Sequence, residues 1–167
     1  MVESVNIWSH LALVFLFLYL SVTTLDGVGE VLDVYDRLMI RLSIGSCVIC
    51  FLCSTFYHMF KCYSDWSCQC LLSFDIAGII LMIYMSTLTG IYFGYECYVE
   101  LRMGYMVILS VVSLVMILTV IAPEVIGISE EMKTWTYASF AAFGVIPLFH
   151  WCGLKGLGTN GLSNIYY

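Results

Sequence analysis

The sequence predicts an all-α fold, a multi-pass bundle of transmembrane helices that takes up residues 1–167 as a single domain. Two observations predict it. Hydrophobic residues make up 62% of the 167 residues and charged residues only 11%, whereas a soluble domain carries about 25% charged residues. The apolar residues are also gathered into runs of about 20, the length that a helix needs to cross a hydrocarbon core about 30 Å thick.

Five of these runs are predicted to cross the membrane: 7–25, 38–60, 71–93, 103–122 and 135–154. An acidic connection follows the first run, and Pro123 stops the fourth. Pro147 is expected to kink the fifth helix, because proline removes a backbone hydrogen bond. None of the runs alternates polar with apolar residues, which argues against the strands of a membrane barrel.

Charge and cysteine content exclude several classes of protein. Twelve acidic residues against six basic ones give a net charge of −6, and no basic cluster is present. A nucleic-acid surface or a polybasic lipid-binding patch is therefore excluded. The motif C-x-x-C-x-x-C at 47–53 lies in an apolar run, where cysteine is usually a packing residue, so we interpret it as packing rather than as a metal site.

A small set of polar residues interrupts the apolar runs. In the stretch CSTFYHMF, Ser54 and His58 are four residues apart and share a helix face. Asp75 lies just inside the next run, after a short polar loop. Because successive helices run in opposite directions, His10, Ser54, His58 and Asp75 are predicted to lie in one leaflet and His150 in the other. Ionisable groups in a membrane are costly, so each is a functional hypothesis.

Two interpretations of Ser54, His58 and Asp75 remain open from the residues alone. In the first, the imidazole of His58 binds zinc, and Asp75 orients that imidazole or a metal-bound water. Such a water could attack a lipid amide or ester. In the second, the three side chains hydrogen-bond across helices 2 and 3 and hold the bundle together, which is the commoner use of polar residues in membrane bundles.

The other two histidines stand next to or near tryptophan. His10 follows Trp8 by two residues, and His150 precedes Trp151. Tryptophan is enriched where a helix meets the lipid headgroups. Both histidines are therefore predicted to be interfacial anchors, and a metal-binding role for His10 is the less favoured alternative.

Four motifs, in order along the chain, resemble those of the progestin and adipoQ receptor family, which is related to the adiponectin receptors and haemolysin III. They are ESVNIWSH at 3–10, S-x-x-x-H at 54–58 running on into KCYS, SFDIAGI at 73–79 and GVIPLFHW at 144–151. Ile76 stands where the family usually has tyrosine. The pairing of VNIWSH with GVIP-x-x-HW is most similar to the Golgi-resident, Raf-kinase-trapping branch of the family.

This resemblance implies a seven-helix fold with a cytoplasmic N-terminus, in the Golgi or plasma membrane. It implies zinc near the cytoplasmic leaflet, with His58 as a ligand, Asp75 contacting the zinc-bound water and Ser54 beside it. The implied function is that of a signalling receptor with a zinc-centred site resembling a lipid-amide hydrolase. The implied partners are membrane lipids, a lipid or hormone ligand and a cytosolic signalling protein.

The sequence departs from the family pattern in one respect. Two further zinc ligands of the family come from an H-x-x-x-H pair on helix 7, and no such pair is present here. We therefore expect a chain that carries helices 1–5 of the seven, binds zinc poorly and is inactive as the zinc-dependent hydrolase that the family resemblance implies. The alternative is a non-catalytic Golgi scaffold that anchors a cytosolic signalling kinase.

Overall fold

The computed structural model describes residues 2–28, 32–121 and 130–163, and this part of the chain is all-helical. Its helices are α1 (Val2–Val28), α2 (Val34–Phe60), α3 (Asp65–Gly94), α4 (Val99–Ile121), α5 (Glu130–Phe143) and α6 (Val145–Ser163). Five segments are long and apolar enough to cross a membrane, the fifth being Tyr137–Gly156, which runs from α5 into α6. The predicted fold class and the predicted number of spans are confirmed.

The third helix begins earlier than its apolar run predicts, at Asp65 rather than at residue 71. Ser64 caps it: its backbone is extended, and its hydroxyl accepts a hydrogen bond from the Ser67 N–H at 3.1 Å. A capped polar turn therefore precedes the apolar part of α3. The predicted end of the fourth run, Ala122 and Pro123, lies outside the described residues.

Replacing Ser64 with alanine is expected to lower the free energy of unfolding by about 0.5–2 kcal/mol, because one N–H at the start of α3 loses its acceptor. The measurement is thermal unfolding in detergent, followed by helical circular dichroism. Ser73→Ala is the matched control, since the Ser73 hydroxyl only bonds back to the Gln69 carbonyl within the helix. Equal stability of the two variants would show that the cap contributes nothing.

The fifth apolar run was predicted to be one kinked helix, and the structure divides it into α5 and α6 at Gly144. The helix α5 ends at Phe143, four residues before Pro147. Proline has no N–H for the carbonyl four residues earlier, and its ring collides with that carbonyl. The expected effect of Pro147 is therefore present, but as an interruption of the helix rather than as a bend.

The helices pack in chain order: α1 on α2, α2 on α3, and α3 on α4. The helices α2 and α3 approach each other closely at Gly78. A Cβ atom built on Gly78 would lie 3.0 Å from the Cα of Cys50 and 3.6 Å from the Cβ of Cys53. Small residues at helix contacts let membrane helices approach this closely. The fully buried apolar core lies further along α3 and α4, around Ile80, Ile91 and Leu109.

The bundle has two ends, the His58 end and the His150 end. At the His58 end, the start of α1 meets the end of α2 through Glu3 and His58. At the His150 end, the start of α2 meets the end of α3, where the Tyr92 hydroxyl donates to the Asp36 carboxylate at 2.9 Å. The connections after α2 and after α3 lie at opposite ends, and each carries an exposed free cysteine, Cys62 and Cys97 respectively.

Candidate functional site

The carboxylate of Glu3, in the first turn of α1, contacts both His58 and Lys61 at the end of α2. Oε2 of Glu3 lies 2.8 Å from Nδ1 of His58, and Oε1 of Glu3 accepts a hydrogen bond from Nζ of Lys61 at 2.6 Å. The hydrogen bond to Glu3 raises the pKa of Lys61 above its ordinary value, so the ammonium stays charged at neutral pH. The cation in turn favours the ionised form of Glu3.

His10 lies against the same imidazole. Its ring centroid is 5.7 Å from that of His58 and 5.6 Å from that of Phe51, in both cases edge to face. Its Nδ1 atom is buried and has no hydrogen-bond partner among the described residues. The ring thus turns inward onto α2, while Trp8 is 69% exposed. The ring of His10 thus contacts α2, and an interfacial position of Trp8 and His10 stays a prediction.

Ser54 and Asp75 differ from the other buried polar side chains of the described residues. Four of these side chains bond back to a carbonyl of their own helix: Ser46, Thr55, Ser113 and Thr119. Ser54 and Asp75 are also buried, but neither makes such a bond within the described structure. Buried polar groups are normally paired. Their side chains are therefore available to a partner from another helix or to a ligand.

Asp75 lies near α2, in the region where α2 and α3 pack closely. Its carboxylate is close enough to the thiols of Cys50 and Cys53 to act on them electrostatically, beside the close approach at Gly78. Ser54 follows Cys53, and His58 lies one helical turn further on. Within the described ranges no hydrogen bond joins His58 to Asp75; the carboxylate in contact with His58 belongs to Glu3.

Glu3 is the site residue that the sequence argument missed. A signal was available, because Glu3 lies seven residues before His10 and a spacing of seven puts two residues on one helix face. It also lies at the end of α1 predicted to face His58. An acidic residue there, against a chain with few charges, is the pattern that would have identified it.

A second polar cluster lies at the His150 end, and two of its hydrogen bonds are donated to backbone carbonyls. The Tyr95 hydroxyl donates to the Pro147 carbonyl at 2.6 Å, and the indole N–H of Trp151 donates to the last carbonyl of α3 at 2.8 Å. The Tyr105 hydroxyl lies 2.8 Å from Nδ1 of His150. A cleft of about 410 Å³ opens beside these residues, between α3 and α6. The cluster ties the interrupted fifth span to α3.

The residues at the His58 end fit a zinc ion only in part. A metal-binding histidine usually has its second ring nitrogen held by a carboxylate, as His58 is held by Glu3. Catalytic zinc, however, usually has three protein ligands. In the part of the chain that the structure describes, no group of three or more histidine, cysteine, aspartate or glutamate side chains could hold a metal ion. The described residues provide one imidazole, that of His58, oriented by a carboxylate, but not a complete set of zinc ligands.

Comparison with known proteins identifies the fold that carries these residues. The profile of the family described as haemolysin-III related matches residues 1–166. The chain belongs to the haemolysin-III related family. It is accordingly a multi-pass integral membrane protein, in agreement with its five apolar helical segments.

Three relatives show how far this similarity extends. The chain is 30% identical over 158 residues to progestin and adipoQ receptor family member 3 of Homo sapiens, covering 92% of this chain and 51% of that protein. It is 25% identical to the adiponectin receptor protein of Drosophila melanogaster, covering 92% and 35%. It is 27% identical to heptahelical transmembrane protein 1 of Arabidopsis thaliana, covering 89% and 47%. The chain thus spans about half the length, or less, of these relatives.

Proposed function

We propose that the chain is a receptor-like membrane protein whose His58 end contributes to a zinc-dependent site for a lipid. The observation that carries this proposal is the 2.8 Å contact between Glu3 and Nδ1 of His58. Metal-binding imidazoles are oriented in this way by a carboxylate on the second nitrogen. The names of its relatives, progestin and adipoQ receptor and adiponectin receptor, support the receptor assignment.

Each residue has a separate role in this proposal. His58 presents its second ring nitrogen, Nε2, as one ligand, and the remaining ligands come from outside the described residues. Zinc, when bound, supplies Lewis-acid chemistry and a more acidic water. Asp75 would orient a water near the close contact of α2 and α3. The hydroxyl of Ser54, buried on the same face of α2, can bond to the same group.

The proposal also includes orientation and compartment. The N-terminus, and with it Glu3 and His58, is cytoplasmic, and the protein resides in the Golgi or plasma membrane. Support comes from the 30% identity to progestin and adipoQ receptor family member 3 and from the motifs shared with that branch of the family. The ligand is then a lipid, or a hormone acting through one, that enters from the membrane.

The test is zinc binding by the purified chain in detergent, measured by equilibrium dialysis followed by elemental analysis. Because the described ligand set is incomplete, the chain is expected to bind zinc weakly, and His58→Ala to weaken that binding by more than about tenfold, the lower bound for losing even an outer partner of a ligand. His150→Ala is the matched control, because His150 lies at the other end of the bundle and bonds Tyr105. Zinc that binds equally to both variants, or to neither, would contradict the proposed site.

A second candidate is a scaffold that holds a cytosolic signalling kinase at the Golgi membrane. One observation favours it: Tyr63 and Trp66, at the His58 end, are 85% and 76% exposed. Exposed aromatic residues are frequent anchors in protein interfaces. The scaffold would be favoured over the zinc site if zinc binding did not depend on His58 and if Tyr63→Ala no longer recruited the kinase.

A further inference from the structure

We propose that Glu3 is a positioning residue that fixes His58 as the tautomer with its proton on Nδ1, and so keeps Nε2 unprotonated. The use of Nε2 as a ligand rests on the proposed function, whereas the tautomer itself does not. The proposal assigns the start of α1 to the site, although α1, in the described part of the chain, packs extensively only on α2.

The geometry defines which nitrogen carries the proton. A neutral imidazole has one N–H donor and one acceptor nitrogen, whereas an ionised carboxylate can only accept. Oε2 of Glu3 lies 2.8 Å from Nδ1 of His58, a normal hydrogen-bond distance. If Nε2 carried the proton instead, two acceptors would face each other at that distance. The bond that one ring nitrogen makes thus sets the state of the other.

Lys61 keeps the Glu3 carboxylate in the acceptor-only form and in place. Glu3 uses one oxygen for Lys61, at 2.6 Å, and the other for His58. With both oxygens engaged, the carboxylate cannot rotate without losing a charge-assisted bond. This matters because the Glu3 side chain is 43% exposed and that of His58 only 15%. An exposed carboxylate without the second bond would hold the ring less firmly.

The other neighbours of the His58 ring contribute no competing hydrogen bond. The ring of Tyr57 is 5.1 Å away and that of His10 5.7 Å away, centroid to centroid, and both meet it at an angle. Among the described residues, Glu3 is the one whose side chain hydrogen-bonds this imidazole. The tautomer of His58 should therefore follow the chemistry of residue 3.

The experiment reads the tautomer directly from side-chain ¹⁵N chemical shifts of the purified chain in detergent. The sequence has only three histidines, so His10→Gln and His150→Gln assign the signals. Spectra are recorded at about pH 8, above the pKa of about 6.5 of an unperturbed histidine. The wild type is expected to show His58 protonated at Nδ1. Glu3→Gln, whose amide can donate as well as accept, is expected to give a mixture of tautomers, and Glu3→Asp to retain the Nδ1–H form.

Glu100→Gln is the matched control, because Glu100 lies in the first turn of α4, away from His58, and it should leave the signal unchanged. A wild-type His58 protonated at Nε2, or a Glu3→Gln spectrum identical to that of the wild type, would overturn the positioning role. Zinc affinity provides a separate measurement: Glu3→Gln should lower it by about 10- to 100-fold. If the tautomer responds as expected but zinc binding does not depend on His58, the proposed function fails while the positioning role stands.

Discussion

Replacing Gly78 with leucine is expected to abolish the native packing of α2 against α3. A single added Cβ atom would already lie 3.0 Å from the Cα of Cys50, and that neighbour is backbone, which cannot move aside as a flexible side chain can. Overpacking of this kind typically lowers the free energy of unfolding by about 1–3 kcal/mol. We expect Gly78→Ala to lose that amount and Gly78→Leu, with three more carbons, to yield little folded protein.

The control for this prediction lies in the same helix. Gly90 has no atom within 4 Å of the position where its Cβ would be, and alanine is favoured over glycine in a helix by about 1 kcal/mol. Gly90→Ala should therefore be as stable as the wild type or more so. Thermal unfolding of the purified variants in detergent, followed by circular dichroism, compares them. If Gly78→Ala unfolds at the same temperature as Gly90→Ala, the backbones of α2 and α3 are not in contact at Gly78.

Replacing Tyr95 with alanine is expected to lower the free energy of unfolding by about 3–5 kcal/mol, the range for deleting a buried aromatic ring. Tyr95 is 2% exposed and belongs to the core cluster. Burial raises the pKa of Tyr95, so its hydroxyl stays protonated and donates to the Pro147 carbonyl at 2.6 Å. Tyr95→Phe keeps the ring but leaves that carbonyl without its donor, which we expect to cost about 1–3 kcal/mol.

Tyr98→Ala provides the comparison for Tyr95, since Tyr98 lies in the same connection but its side chain is 42% exposed. Its removal should change stability by less than that of the Tyr95 hydroxyl. The same thermal unfolding in detergent, followed by circular dichroism, measures the effect. A Tyr95→Phe variant as stable as the wild type would mean that the interrupted helix does not depend on this bond.

The spans could be predicted from sequence because hydropathy and length respond to one physical constraint, the thickness of the hydrocarbon core. The second span was predicted to end at Phe60 and does so. The start of α3 was missed because a serine cap extends the helix beyond the apolar run, at Asp65. In the fifth span a kink was predicted at Pro147 and an interruption was found at Gly144, because a sequence shows where a proline lies but not whether the helix bends or breaks there.

The candidate site could be predicted only to the level of helices. Alternation of helix direction places His10 and His58 at one end, and the structure brings their rings together. The sequence could not show that the carboxylate in contact with His58 would be that of Glu3 rather than that of Asp75, because that depends on the rotation of each helix about its axis. Whether His58, Asp75 and Ser54 act in metal chemistry stays a prediction.

The exposed thiols of Cys62 and Cys97 give the protein its own chemical labels for the two faces of the bilayer. They belong to the connections before and after α3, so one transmembrane helix separates them. A thiol reagent that cannot permeate sealed vesicles would reach one of the two from outside and the other only after the vesicles are opened. Because Cys152 is also exposed, peptide mapping identifies which cysteine reacted, and the sidedness of the bundle is then established on the native chain without an added tag or an introduced cysteine.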